Sequence, residues 1–146
     1  MVQRYLTNSP HAAAQVVALT VLADGVLSRG EIGMLFGSRI YEQLELNTAE
    51  MQGLVEALAT DLSQLGAPAW THEGELQPFL VTRVLEGVTA PALSRKTFEL
   101  CRLVAESDFH VSQSERALLL RASSHWLLPI ATTLTQRNTN EKEQLS

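Results

Sequence analysis

The chain has 146 residues, a length that supports one domain with its own apolar core and no need for disulfides or a structural metal. Hydrophobic residues make up 45% and charged residues 18%, which excludes an intrinsically disordered chain, since such chains lack the apolar surface that drives collapse. The net charge of −5 gives no electrostatic reason to approach nucleic acid, which needs clustered Lys and Arg, so neither DNA nor RNA is expected as a partner.

The first element begins at Asn8-Ser9-Pro10, where a capping residue stands beside a proline that fits the first helical turn. The Ala/Val/Leu-rich run to Ala23 follows, and Val16, Val17, Leu19, Val21 and Leu22 leave it almost no polar face, the pattern of a central helix. The apolar stretch from Ala12 is interrupted by Gln15 and Thr20 and falls well short of the ~20 residues needed to span a bilayer. With no basic region and small-residue cleavage pattern ahead of it, a cytoplasmic protein without a transmembrane segment is expected.

Asn47-Thr48-Ala49-Glu50 has the spacing of a reciprocal cap, in which the asparagine side chain accepts from the first turn and the glutamate reaches back to the cap amide. Behind it Met51, Leu54, Val55, Leu58, Leu62 and Leu65 recur at helical spacing, until Gly66 and Pro68 interrupt the pattern. The loop from Gly66 to Gly74 carries Trp70 and His72. Trp70 reads either as a plug over the core or as part of a loop binding surface, and the two readings stay open. Pro78 opens a further helix with Phe79, Leu80, Val84, Leu85 and Val88, whose end Gly87 loosens. A longer helix runs from Pro91 through Glu106 with Leu93, Thr97, Leu100, Cys101 and Val104 inward. The last spans Gln113 to Trp126 and stops before Pro129. No alternating β-branched pair is joined by a hairpin dipeptide, so the fold class is all-α. The expected layout is a lead-in over residues 1–9, one helical domain over 10–130 and a polar tail over 131–146.

Two segments align without gaps, and they carry the chemistry. Asp24 matches Asp108, Leu27 matches Val111, Ser28 matches Ser112 and Glu31 matches Glu115, each at the 84-residue distance from 24 to 108. The helices before them align as well, Val16 with Leu100 and Leu19 with Leu103, so the repeated unit is helix, acidic corner, helix. Ser28 with Glu31 and Ser112 with Glu115 have capping-box spacing, which accounts for these residues through the fold alone. Asp24, Gly25, Ser28 and Glu31 also fit the latter half of an EF-hand loop. Thr20 and Leu22 then stand where that loop needs carboxylates, and Phe109 stands where the second copy needs glycine. A hard divalent cation such as calcium would take Asp24, Glu31, Asp108 and Glu115 if the corners met, with Glu106 as a fifth ligand.

Ala23-Asp24-Gly25 followed by Ser28 and Glu31, with Asp108, Ser112 and Glu115 in the second copy, resembles the TerB-like (tellurite-resistance B) family over roughly residues 10–128. That resemblance implies a compact multi-helix bundle of two pseudo-repeated helix-turn-helix halves. It also implies a bacterial cytoplasmic role in tellurite resistance or metal and envelope stress, with acidic residues holding metal and a protein as partner.

Other chemistry is poorly represented. No two of His11, His72, His110 and His125 have the i, i+4 spacing of a helical metal pair, and there is no nucleophile elbow, P-loop or dinucleotide fingerprint. A lone cysteine, Cys101, sits in an apolar stretch and reads as core. The leading expectation is a non-enzymatic binding module. The alternatives are a small helical enzyme acting on a small molecule and a structural scaffold without metal.

Overall fold

The computed structural model describes residues 2–23, 33–37, 40–72, 75–106 and 113–128. Five α-helices lie among them: α1 (Pro10–Val21), α2 (Thr48–Leu65), α3 (Pro78–Leu85), α4 (Pro91–Ala105) and α5 (Gln113–His125). Shorter helical turns occupy Gly33–Gly37, Ile40–Leu44 and Ala67–Ala69. The fold is an all-α bundle. No strand occurs among the described residues, where extended pairing is limited to a single bridge between Trp70 and Leu76.

Helix α1 is the axis of the bundle and packs against each of the other four helices. Ser9 caps it by accepting from the Ala12 amide at 3.1 Å, with Pro10 in the first turn. Every residue from Ala12 to Val21 is buried. Its two polar interruptions are satisfied internally, as buried groups must be. Gln15 donates to the Gln3 carbonyl at 2.8 Å, and Thr20 Oγ1 donates to the Val16 carbonyl at 3.2 Å. The first of these bonds ties down the lead-in, where Val2 enters the core and the Gln3 amide donates to Asp61.

The cap that opens α2 is complete, with Asn47 accepting from the Glu50 amide at 2.8 Å and Glu50 accepting from the Asn47 amide at 2.9 Å. Met51, Leu54, Val55, Leu58 and Leu62 are buried along its inner stripe. In α3 the inner stripe is Leu80, Val81, Val84 and Leu85, continued by Val88 beyond the helix end. Phe79, in the first turn of the same helix, is 62% exposed. One position before Leu80 it lies about 100° around the helix, in line with Arg83 and Glu86 on the outer face. Gly87 follows, and its role is close approach. A Cβ there would lie 3.3 Å from both the Ala12 Cβ and the Val84 carbonyl, so the chain passes α1 because no side chain intervenes.

Both tryptophans close the core. Trp70 is half-buried against it, and Trp126 donates from Nε1 to the Val88 carbonyl at 2.9 Å. Helix α5 ends in a paired return. The Leu128 amide reaches the Ser123 carbonyl at 2.7 Å and the Leu127 amide reaches the Ser124 carbonyl at 3.3 Å, with Leu127 left-handed at φ +57. Glycine is the residue that this position favours, and the Leu127 side chain is 89% exposed. Leu127→Gly is therefore expected to raise stability by about 0.5–1 kcal/mol in urea unfolding, and a loss of that size would show that Leu127 holds the bundle through its side chain.

Candidate functional site

Helices α1 and α4 pack side by side. Asn8, itself left-handed at φ +64, clasps the start of α4. Its Oδ1 accepts from the Thr89 and Ala90 amides at 2.8 and 2.9 Å, its Nδ2 donates to Thr89 Oγ1 at 2.8 Å, and its own amide donates to the Gly87 carbonyl at 2.7 Å. Near the other ends, the Thr20 side chain faces the Cys101 thiol closely enough to act on its titration. Starts beside starts and ends beside ends make the two helices parallel neighbours. They stop at Val21 and Ala105, positions the sequence alignment makes equivalent, so both helices end at the same end of the bundle.

The residues of those corners are placed as follows. Asp24, Glu31 and Asp108 lie outside the described residues, as do Gly25, Ser28, Phe109 and Ser112. Glu115 occupies the third position of α5, the place of a capping-box acid, and is only 3% exposed. Burial of a carboxylate so near a corner is affordable only with a proton, hydrogen bonds or a cation beside it. Glu106, the suggested fifth ligand, sits at the end of α4 and is engaged by Arg102, whose Nη1 lies 3.2 Å from each carboxylate oxygen. Arg102 Nη2 reaches Glu99 Oε1 at 2.7 Å, and this bond first, with both nearby carboxylates, holds the guanidinium pKa above its ordinary value despite partial burial. The spacing of Glu99, Arg102 and Glu106 along one helix face already signals this pairing. Glu106 would have to leave Arg102 to coordinate an ion.

Among the described residues no three His, Cys, Asp or Glu side chains gather into a metal-binding group. His11 stacks on Tyr5 with ring centroids 5.9 Å apart, and its Nε2 lies 3.9 Å from a Glu50 carboxylate oxygen. His72 and His125 are exposed on separate elements, and His110 lies outside the described residues. Cys101 is fully enclosed between α1 and α4. Burial pushes its thiol up to about 12, against a smaller opposing effect of the Thr20 hydroxyl, so at neutral pH it is a protonated core group and not a soft metal ligand.

Two small cavities hold about 40 Å³ beside Gln15 and Arg83 and about 60 Å³ between α3 and α5. Those volumes suit a water or two and no organic substrate. No described helix is long and apolar enough to cross a membrane. The sequence reasoning did not find the Asn8 clasp, because its partners stand 81 and 82 positions away and a lone Asn-Ser-Pro reads only as a local helix start. No family model, no curated protein and no solved structure matches this chain.

Proposed function

We propose that the protein is a TerB-like, non-catalytic binding module whose two acidic corners hold a hard divalent cation at one end of the bundle and present that end to a protein partner. The observation that carries the reading is the parallel pairing of α1 and α4, whose last residues, Val21 and Ala105, lie at a common end of the bundle, three residues before Asp24 and Asp108 in the sequence, with Glu115 in the first turn of α5. Carboxylate oxygens from two loops suit calcium, which takes six to eight oxygen ligands in flexible geometry, better than zinc. Cys101 offers no thiolate to a softer metal, because burial keeps its thiol protonated. A part in tellurite or metal stress follows from the family resemblance alone.

Calorimetric titration with calcium, magnesium and zinc tests the cation. Calcium is expected to bind with the highest affinity and, at one hundred times its dissociation constant, to stabilise the fold by about 2.7 kcal/mol. Asp24→Ala combined with Asp108→Ala should abolish both effects. Absence of calcium binding at millimolar concentration, or binding that survives the double substitution, overturns the assignment. If the corners serve only as caps, the double variant loses stability with no change in ion dependence.

A further inference from the structure

At the opposite end of α4 the structure holds an open recess of about 460 Å³, a volume in the range of small-molecule sites. Its walls divide by chemistry. Val88, Trp126, Leu127 and Leu128 supply apolar surface, while Arg95 from α4 and His125 from α5 supply cationic or donor groups. Trp126 has already committed its indole N–H to the Val88 carbonyl, which fixes the ring as part of the wall and leaves it no polar demand of its own.

Arg95 differs from the other cations of its helix. Lys96 donates to the Gln43 carbonyl at 3.0 Å, and Arg102 is held by Glu99 and Glu106. Arg95 is exposed and makes no ion pair or side-chain hydrogen bond among the described residues, and the same holds for His125. Glu99, four residues on, is taken up by Arg102. The first turn of α4 carries no acidic residue and its cap, Ala90, provides no side-chain acceptor, so the partial positive charge of the helix start adds to that of Arg95. An anion is the missing complement. The apolar walls select one that carries a hydrocarbon or aromatic body, and a single guanidinium with one imidazole matches a carboxylate better than the higher charge of a phosphate.

We propose that this recess binds a small amphipathic carboxylic acid, its carboxylate on Arg95 and His125 and its apolar body against Trp126, Val88 and Leu128. The site is independent of the cation reading, since it uses the other end of α4 and none of the acidic corner residues.

The test follows the Trp126 indole resonance by heteronuclear NMR, assigned with Trp70→Phe, during titration of the full chain with 4-phenylbutyrate, 4-phenylbutanol or inorganic phosphate. The acid is expected to shift that resonance saturably with a dissociation constant below about 1 mM, with the alcohol at least about tenfold weaker and phosphate without effect. Arg95→Gln, at an exposed side chain that holds nothing else in place, should keep the native circular dichroism. It should weaken the acid about tenfold or more and leave the alcohol unchanged. Equal binding of acid and alcohol, saturable binding of phosphate, no shift at Trp126, or an Arg95→Gln variant that binds the acid as before would each overturn the proposal.

Discussion

Leu19→Ala is expected to lower stability by about 3 kcal/mol and Leu103→Ala by less than about 1 kcal/mol, measured by urea unfolding of each variant. The sequence alignment makes these two leucines equivalent, but their surroundings are not. Leu19 is 1% exposed on a helix with neighbours on every side, so truncation leaves a cavity that the packed core cannot fill. Leu103 is 40% exposed, and truncation there removes partial contacts only. A repeat that extended to packing would give both substitutions the same cost, and equal values would show that α4 is as enclosed as α1.

That contrast marks how far the sequence carries. Helix identities were legible wherever apolar spacing and a local cap agreed, as at Asn47 and Glu50 ahead of the Met51-to-Leu62 stripe, because each signal lies within a few residues of its partner. The burial of α1 was legible for a different reason, a run with no polar face to expose. The exposure of Phe79 was not legible from its hydrophobicity alone, because it depends on the angle at which the residue stands on the helix. The register of the repeat also diverges after the first corner. Gly33–Gly37 winds as a wider π-helical turn, whereas the positions 84 residues on lie inside regular α5. Of the four acidic residues singled out from sequence, Glu115 is the one within the described residues, and its enclosure could not be read from Gln113-Ser114-Glu115, whose polarity alone suggests a solvated first turn. The Arg95 recess was equally silent, since its walls come from segments some 30 residues apart and no spacing rule links the start of one helix to the end of the next.

Asn8→Ala is expected to lower stability by roughly 2–3 kcal/mol, a large effect for an exposed residue, because two costs coincide there. Alanine in the left-handed region costs about 1–2 kcal/mol relative to residues that tolerate it. Loss of the Oδ1 acceptor also strips the Thr89 and Ala90 amides of their partner, at about 0.5–1.5 kcal/mol for each hydrogen bond even where water replaces part of it. Asn8→Gly separates the two, since it keeps the φ of +64 and loses the bonds, and its cost should be about 1 kcal/mol. Asn8→Asp keeps the acceptor and forfeits the Nδ2 donation to Thr89 Oγ1, but it places a negative charge at the uncapped start of α4, where the helix dipole favours it. It should match the native protein at neutral pH and weaken as acid protonates the new carboxylate. Thermal unfolding of the three variants should rank them Ala, Gly, Asp in order of rising midpoint, with each kcal/mol worth on the order of 4 °C. Because the clasp holds the starts of α1 and α4, far from the corners that follow their ends, calcium affinity measured on the folded fraction should be unchanged in all three. A variant with normal stability and lost calcium binding would mean that Asn8 governs the corners directly.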